Sequence, residues 1–362
     1  MKTYLVTGGA GFIGSNFIQY MFEKYNNKIK IINVDSLTYA GNLDNLRQIE
    51  GLENYKFIKA DICDRESIRD IFEKNDIDYV VNFAAESHVD RSINNPEIFV
   101  HTNILGTLNL LNIAKEYWQD VEYFKEGKKF IQISTDEVYG SLDKGDEYFY
   151  ETTPIDPHSP YSASKASADL LVKSYVDTYK FPANITRCSN NYGPYQFPEK
   201  LIPLIINNCL QGKSLPIYGD GKNVRDWLYV RDHAKAIDMV ISKGKLGNVY
   251  NIGGHNEKEN IQIVNIILDI LNETLPDDDL RKKNISKDLI TYVKDRKGHD
   301  RRYAISPDKI KEEIGWYPET SFDEGIRETI KWYLENEEWM KKVTSGEYLK
   351  YYSNMYKLGV EY

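Results

Sequence analysis

Short apolar runs alternate with longer stretches of mixed polarity through the first half of the chain. The runs are rich in β-branched and aromatic residues, as buried strands are, and their sequences are KTYLVT, KIIN, YKFIKA, DYVVNFA, KFIQIS and ANITRC. Stretches of helical length lie between them, for example residues 96–119 and 161–180. Because this alternation is the pattern of repeated βαβ units, it predicts an α/β fold with a doubly wound parallel sheet.

The regular alternation ends after about residue 190, where prolines and a glycine-rich turn interrupt it. The interruptions are Pro194, Pro198, Pro203, Pro216 and the segment YGDGKN. The run LGNVYNIGG then has the composition of one more buried strand. We therefore predict two interleaved lobes: residues 1–190 with later segments returning to the sheet, a smaller C-terminal lobe at residues 191–340, and an aromatic-rich tail at residues 341–362.

Composition places the chain among globular proteins of the cytoplasm. The hydrophobic fraction is 41%, and no apolar run approaches the roughly 18 residues of a membrane span, so we expect no membrane partner. The amino terminus lacks a cleavable apolar core, and the three cysteines form no C-x-x-C pair. These features predict reduced thiols and argue against a structural zinc site or any other metal site.

The formal net charge of −9 disfavours broad binding of nucleic acid, which needs a basic face. An anionic ligand would therefore have to be held by local groups.

A glycine-rich turn follows the first strand in the sequence TGGAGFIGSNF, which places Gly8, Gly11 and Gly14 before a helix. Glycines at this spacing allow a tight turn and close approach of the backbone to a pyrophosphate. Asp35 ends the next strand 21 residues after the third glycine, where a carboxylate accepts from a ribose hydroxyl. Since Asp35 would repel a 2′-phosphate and Ser36 follows it, we predict a Rossmann-type site for NAD rather than NADP.

Two further strand ends supply small and polar residues. Asp61 and Ile62 follow the third strand, and Ala84 and Ala85 follow the fourth. Ligands of open α/β sheets lie at the carboxyl ends of strands, so these residues are expected to frame the adenine and the central ribose. For the two alanines, close packing of a helix is an equally good interpretation.

A tyrosine and a lysine stand four residues apart in PYSASKASADLL, which puts Tyr161 and Lys165 on one face of a helix. The same spacing recurs elsewhere in this chain, but here small residues between the two leave room for a ligand. An adjacent ammonium and a positive nicotinamide ring would lower the phenol pKa from its usual value of about 10. Tyr161 would then act as a base near neutral pH.

Two carboxylates lie side by side in STDEVYG, directly after an apolar run. Asp136 and Glu137 each raise the cost of ionising the other. A polar turn at the end of a strand is the plain interpretation, and only the surrounding motifs favour a chemical one.

The segments TGGAGFIG, AAESHVDRS, STDEVYG, YSASK and NNYGPYQFPEKLIP together resemble the extended short-chain dehydrogenase/reductase family, and within it the nucleotide-sugar 4,6-dehydratases. The resemblance extends to about residue 340. Its TDE and NNYGPYQFPEKLIP stretches are far more specific than its glycine repeat. It implies NAD-dependent dehydration of dTDP-glucose to dTDP-4-keto-6-deoxyglucose by a cytoplasmic homodimer, with the long helices near 97–119 and 161–180 at the dimer interface.

The resemblance also implies roles for the residues of STDEVYG. Glu137 would remove the C5 proton once C4 is a ketone, and Asp136 would protonate the departing C6 hydroxyl. Thr135 would hydrogen-bond the C4 oxygen beside Tyr161. Environments that push two carboxyl pKa values apart give one acid and one base.

Binding residues carried over from the resemblance fall into two sets. The cofactor set adds Phe12, Ile13, Thr38, Ser87, Thr102 and Asn191 to the residues above and includes Tyr161 and Lys165. The substrate set consists of Ser87, Thr135, Asn190, Lys200, Leu201, Pro216, Tyr218, Arg225, Asn260, Arg296 and His299. Taken singly, Lys200 and Arg225 also fit solvated surface charges, and we assign His88 and His233 structural roles.

Three alternatives remain open from the sequence. They are a 4,6-dehydratase of another nucleotide sugar, a nucleotide-sugar 4-epimerase, and a non-catalytic NAD-binding scaffold. A scaffold would be expected to lose Tyr161, Lys165 or the carboxylate pair, and this chain retains them. The sequence does not show which base is bound, because thymine and uracil differ by one methyl group, which is worth only about 1–3 kcal/mol of binding free energy in an apolar pocket.

Overall fold

A computed structural model describes residues 1–143, 145 and 147–345. The β-strands are β1 Lys2–Thr7, β2 Ile29–Asp35, β3 Tyr55–Lys59, β4 Tyr79–Asn82, β5 Gln119–Asp120, β6 Tyr123–Phe124, β7 Lys129–Thr135, β8 Ala183–Cys188, β9 Asn190–Tyr192, β10 Leu215–Tyr218, β11 Val224–Tyr229, β12 Val249–Ile252, β13 Glu257–Glu259 and β14 Ile290–Val293. The α-helices are α1 Phe12–Tyr25, α2 Arg65–Lys74, α3 Val89–Asn94, α4 Pro96–Phe99, α5 Thr107–Trp118, α6 Pro160–Tyr179, α7 Leu201–Leu210, α8 Val230–Lys243, α9 Asn260–Thr274, α10 Asp308–Ile314, α11 Phe322–Glu335 and α12 Glu337–Val343.

Seven strands form the central sheet in the order β12-β8-β7-β4-β1-β2-β3. All neighbouring pairs are parallel. The chain runs outward from β1 to β3 and then returns to β4 on the other side of β1, which opens a crevice between the carboxyl ends of β1 and β4. The predicted doubly wound parallel sheet is confirmed, and the late run LGNVYNIGG forms its edge strand β12.

Both faces of the sheet are covered, which explains why its strands are continuous apolar runs rather than alternating ones. Successive side chains of β1 point to opposite faces. Val6 packs in a cluster with Phe17 of α1 and Ile237 of α8. Leu5 packs in a second cluster with Leu110 of α5 and Val172 of α6.

The long helix α6 begins where its sequence provides a start signal. Ser159 caps the helix by accepting from the Ser162 backbone N–H at 3.0 Å, and Pro160 occupies the first turn. Lys180 ends the helix in a left-handed conformation with φ of 60°. This helix carries Tyr161 and Lys165 in its first two turns.

The segment predicted as one helix over residues 96–119 is divided into three parts. A π-helical stretch, Val100–Gly106, joins α4 to α5. Such stretches loosen the i→i−4 ladder and occur often at functional sites. This stretch contains Thr102 and Asn103, which lie at the edge of the cavity described in the next subsection.

The second lobe is built from small sheets and helices on the carboxyl side of the large sheet. Strands β13, β11 and β9 form one sheet, β10 and β14 another. Helices α7, α9 and α11 enclose an apolar cluster that includes Ile205, Ile267 and Ile326. The boundaries of the two lobes stay a prediction, and the predicted tail lies outside the described residues from residue 346 onward.

No helix within the described ranges is both long enough and apolar enough to cross a membrane.

Candidate active site

A cavity of about 440 Å³ opens at the carboxyl ends of the central strands. Its walls contain every residue that the sequence predicts for the cofactor and for catalysis, together with two of the predicted substrate residues that belong to neither of those groups, Asn190 and Lys200. These wall residues are Gly8, Gly11, Phe12, Ile13, Gly14, Asp35, Ser36, Thr38, Asp61, Ile62, Ala84, Ala85, Ser87, Thr102, Thr135, Asp136, Glu137, Tyr161, Lys165, Asn190, Asn191 and Lys200.

The glycine turn fills the crevice between β1 and β4 so closely that side chains would not fit. Gly8 has a φ of +68°, and a Cβ placed there would lie 2.6 Å from the Ala84 backbone nitrogen. A Cβ on Gly14 would collide with the Gly8 carbonyl oxygen. Ala84 lines the cavity, and its backbone also packs closely against the Gly8 turn.

Asp35 lies at the end of β2 with its carboxylate held by two backbone N–H groups. Ala10 donates to Oδ2 at 3.0 Å and Leu37 donates to Oδ1 at 2.8 Å. Burial raises the pKa of this carboxyl, and the two backbone donors oppose that rise. Each oxygen retains a further lone pair, so the carboxylate can accept from the hydroxyls of a ribose. The cradle of glycines and this carboxylate fit a dinucleotide without a 2′-phosphate.

Tyr161 and Lys165 lie deep in the cavity, 8% and 4% exposed. The Lys165 ammonium donates to the Ile133 carbonyl at 2.6 Å, and burial lowers the Lys165 pKa. The pKa of Tyr161 is raised well above its usual value, mainly by burial and then by Glu137, while the neighbouring Thr135 hydroxyl opposes the rise. Burial and Glu137 therefore oppose the lowered phenol pKa that the sequence predicts. The positive charge of a bound nicotinamide ring would have to supply that lowering.

The carboxylate pair lies where β7 ends in a single 3₁₀ turn, Asp136–Tyr139. The Thr135 hydroxyl accepts from the Glu137 N–H at 3.3 Å and donates to Asp136 Oδ1 at 3.2 Å. The other oxygen of Asp136 is buried and has no hydrogen-bond partner among the described residues. Burial, and then the neighbouring Glu137, raise the pKa of Asp136 well above its usual value. This environment therefore favours the neutral, proton-donating form of the carboxyl.

Glu137 has a different electrostatic environment. Burial raises its pKa, but the positive charges of Arg296, Lys200 and Arg225 oppose the rise. Among the main causes at Asp136, Arg225 is the cation that opposes the rise. Both pKa values are raised, but that of Asp136 well above its usual value, whereas three cations oppose the rise at Glu137. Of the two, Asp136 is therefore the better candidate for the acid and Glu137 for the base.

The second lobe brings a group of basic and aromatic side chains toward this pair. Lys200 donates to the Ser87 carbonyl at 3.1 Å, so it bridges the two lobes. The Arg225 guanidinium lies 4.3 Å from the centre of the Tyr303 ring. His299 is neutral, since burial lowers its pKa to about 4.

Seven predicted substrate residues do not line the cavity: Leu201, Pro216, Tyr218, Arg225, Asn260, Arg296 and His299. Arg225 and Arg296 are close enough to Glu137 to shift its pKa. Tyr218 lies beside the group, with its hydroxyl 3.4 Å from Asp90 and its ring 6.2 Å from that of His299.

The remaining three contact other parts of the second lobe. Leu201 begins α7, and Pro216 is paired with Thr291 in the two-stranded sheet. Asn260 begins α9 and donates its backbone N–H to Asn223. The structure thus does not place these three against the carboxylate pair.

Two residues that the sequence did not single out hold the cavity together. Glu199 is buried and accepts from Arg91 at 3.1 Å and from the Tyr39 hydroxyl at 3.2 Å. The Asn103 amide accepts from the Glu86 N–H at 2.9 Å and donates to the Glu86 carbonyl and to Ser164 of α6. Glu199 adjoins Lys200 in the FPEK motif and could have been found there, whereas nothing local marks a buried asparagine.

The two histidines assigned structural roles are buried. Burial lowers the pKa of His88 well below its usual value and that of His233 to about 3, so both are neutral. His233 Nδ1 lies 2.8 Å from the Asn191 side-chain oxygen. His233 therefore fixes the orientation of a side chain that lines the cavity.

A glycine turn at the switch point, an acid at the end of β2 and a buried Tyr-x-x-x-Lys pair define the nucleotide-dependent short-chain dehydrogenases and reductases. The family model described as GDP-mannose 4,6 dehydratase matches residues 5–329. A dTDP-glucose 4,6-dehydratase from Shigella flexneri is 51% identical, with 98% of each chain covered. The chain belongs to the dTDP-glucose 4,6-dehydratase family.

Solved structures agree with this assignment. A dTDP-glucose 4,6-dehydratase from Bacillus anthracis, solved in complex with NAD, is 49% identical with a TM-score of 0.83, covering 95% of this chain and 100% of that one. A UDP-glucose 4-epimerase from Thermotoga maritima is 30% identical with a TM-score of 0.80, covering 92% and 99%. The epimerase shares the fold but has much lower sequence identity.

Proposed function

We infer that this chain is a hydro-lyase that converts dTDP-glucose to dTDP-4-keto-6-deoxyglucose with NAD as its cofactor. The reaction oxidises C4 of the sugar, eliminates water across C5 and C6, and returns hydride to C6. The observation that carries the inference is the carboxylate pair Asp136 and Glu137, held in different electrostatic environments beside Tyr161 in one cavity. Fold and cofactor alone would fit many relatives, but elimination needs both an acid and a base at this point.

NAD supplies the hydride acceptor for the first step and the hydride donor for the last. The glycine turn and the N-terminus of α1 would hold its pyrophosphate, and Asp35 would hold the adenosine ribose. Asn191 would lie on the nicotinamide side, where His233 orients it. Because NAD ends each turnover in its starting oxidation state, it need not be exchanged between turnovers. Tight binding of NAD therefore does not limit the turnover rate.

Purified protein denatured without added nucleotide is expected to release NAD and no substantial NADP. The physical reason is the Asp35 carboxylate, which accepts from ribose hydroxyls but repels a 2′-phosphate. Chromatography of the released nucleotide against both standards makes the measurement. Predominant NADP, or a protein that binds neither dinucleotide when they are added, would show that the role given to Asp35 is wrong.

Tyr161 would take the proton from the C4 hydroxyl as hydride leaves C4. Its phenol lies beside the Thr135 hydroxyl, which would bond the same sugar oxygen. Lys165 would keep a positive charge near the phenolate, while its bond to the Ile133 carbonyl fixes its position.

The carboxylate pair would carry out the elimination. Glu137, the carboxyl that three cations stabilise as an anion, would remove the C5 proton that the C4 ketone acidifies. Asp136, whose pKa burial raises well above the usual value, would give its proton to the departing C6 hydroxyl. The products of this step are water and an unsaturated sugar, which then accepts hydride at C6 and a proton at C5.

The basic residues of the second lobe would bind the diphosphate. Lys200, Arg225 and Arg296 lie near Glu137 and can neutralise phosphate oxygens. Tyr218 and Pro216 would lie near the base, and Asn190, Leu201, Asn260 and His299 complete the proposed set. Ser87 and Thr135 would contact the sugar.

The alternatives differ in what they require of the carboxylates. A 4-epimerase needs the Tyr161 step alone and gives no role to an acid and a base beside it. A 4,6-dehydratase of another nucleotide sugar would use the same catalytic groups, and competition between dTDP-glucose and UDP-glucose would measure the preference.

We also propose that two chains associate through the helices of the first lobe. Ile98, Val100 and Leu105 on the α4–α5 segment and Leu170 on α6 are each 41% to 54% exposed. Apolar side chains grouped on neighbouring helices favour burial against a second copy.

The cytoplasm as the working compartment is part of the same proposal, and it is supported by three unpaired cysteines.

Deuterium placed at C4 of dTDP-glucose is expected to appear in the C6 methyl group of the product. Hydride removed from C4 is the same hydride that returns to C6, whereas the proton at C5 comes from solvent. Mass spectrometry and deuterium NMR locate the label, and the product is lighter than substrate by one water. Deuterium retained at C4 would instead indicate an epimerase, and deuterium lost to free reduced cofactor would indicate a dehydrogenase.

A further inference from the structure

Asp300 connects the two lobes at a point that the proposed reaction does not yet use. Its carboxylate lies 2.6 Å from His158 Nδ1 and also accepts from the Tyr303 hydroxyl. Its backbone carbonyl accepts from Arg225 at 3.0 Å and from Asn223 at 3.1 Å. Four side chains from three separate segments of the chain therefore meet at one residue that is only 7% exposed.

The segments that meet at Asp300 are those that carry the proposed chemistry. His158 stands three residues before Tyr161, next to the cap of α6. Asp300 follows His299 and lies in the same loop as Arg296. The Arg225 guanidinium donates to the Asp300 carbonyl and makes a cation–π contact with the Tyr303 ring, and these two contacts fix its orientation. The contact between His158 and Asp300 thus links the catalytic helix to the binding residues of the second lobe.

We propose that His158 and Asp300 are a positioning pair that holds the substrate-binding loop against the start of α6, so that affinity for the nucleotide sugar depends on whether His158 carries its proton. The proposal rests on the function proposed above and adds to it a pH-dependent determinant of substrate affinity. Neither residue touches the reacting atoms, so the expected effect lies in KM rather than in kcat.

Two carboxylates lie beside the His158 ring. Asp300 lies at Nδ1 and Asp156 lies 3.6 Å from Nε2. The hydrogen bond to Asp300 raises the His158 pKa, with burial opposing the rise. The ion pair is therefore complete below the ordinary imidazole pKa of about 6.5, and it is lost as the pH rises through the raised value. Substrate affinity should fall over the same interval.

Asp300 also acts on the proposed base at a distance. Its negative charge is one of the causes that raise the pKa of Glu137. When His158 is protonated, it offsets part of that charge. This remote effect is small beside burial and the three cations near Glu137, so the expected effect of the pair stays in KM.

The test measures KM and kcat for dTDP-glucose against pH in the full-length enzyme and three variants. His158→Ala removes the contact, and His158→Asn keeps a neutral donor at the Nδ1 position. His255→Asn is the matched control, because His255 is exposed and lies outside the cavity. His158 is the residue to change because its side chain is 42% exposed, so folding should survive, and a thermal melt checks this.

His158→Ala is expected to raise KM about three- to tenfold at low pH, the effect of losing one partly exposed charge-assisted hydrogen bond. Its kcat should stay within about twofold of wild type, since no proposed catalytic group is removed. His158→Asn should give an intermediate KM without the wild-type rise at high pH, and His255→Asn should follow wild type. Lys129, whose pKa burial lowers to about 8, titrates equally in all four proteins and cancels in the comparison.

Two results would overturn the proposal: equal KM for wild type and His158→Ala at low pH, or a wild-type pH profile in His158→Asn. Failure of the proposed function is distinguishable from either, because wild-type protein would then not turn over dTDP-glucose at any pH.

Discussion

Replacing Glu137 with Gln is expected to stop the reaction after C4 oxidation and to lower turnover by about 10²–10⁴-fold, the usual cost of removing a general base. Glutamine has the same shape but cannot accept the C5 proton. Oxidation at C4 uses Tyr161 and remains possible, so reduced nicotinamide should accumulate on the enzyme. Its ultraviolet absorbance after one addition of dTDP-glucose makes the measurement.

The matched control is Glu122→Gln, which makes the same chemical change at an exposed position outside the cavity. It should turn over like wild type. Normal dehydration by the Glu137 variant would remove this residue from the role of base, whatever the control does.

Replacing Tyr161 with Phe is expected to suppress the first step itself, again by about 10²–10⁴-fold. The phenol is the only proposed acceptor for the C4 hydroxyl proton, and Phe retains its packing against Phe99, whose ring centre lies 6.3 Å away. Unlike the Glu137 variant, this one should show no reduced nicotinamide. Single-turnover absorbance therefore separates the two variants even if both give little product.

Tyr179→Phe is the control, because Tyr179 lies on the same helix, is 42% exposed and is remote from the cavity. Reduced nicotinamide formed at the wild-type rate by the Tyr161 variant would contradict its role as the base of the oxidation step.

The central sheet and the cofactor cradle could be predicted from the sequence because both depend on local pattern. Strands buried on both faces must be apolar along their whole length, which makes runs such as KFIQIS visible. The glycines and Asp35 follow from the needs of one turn and one ribose. The π-helical stretch at Val100–Gly106 was not predictable in this way, since its composition is that of an ordinary helix.

Contacts between the lobes could not be predicted from the sequence. His158 and Asp300 are 142 positions apart, and Arg91 and Glu199 are 108 apart. No local pattern indicates which loop of the second lobe meets which strand end of the first. The opposing effect of burial on the Tyr161 pKa could not be predicted for a related reason, because burial depends on everything packed around the phenol.

The Asn103 amide has a consequence for how long the cofactor stays bound. It joins the backbone at Glu86 to Ser164 of α6, while the adjacent Thr102 lines the cavity. Opening of this part of the wall breaks several buried hydrogen bonds together. We therefore expect the π-helical stretch to open by local unfolding, and a slower loss of bound dinucleotide wherever release needs that opening.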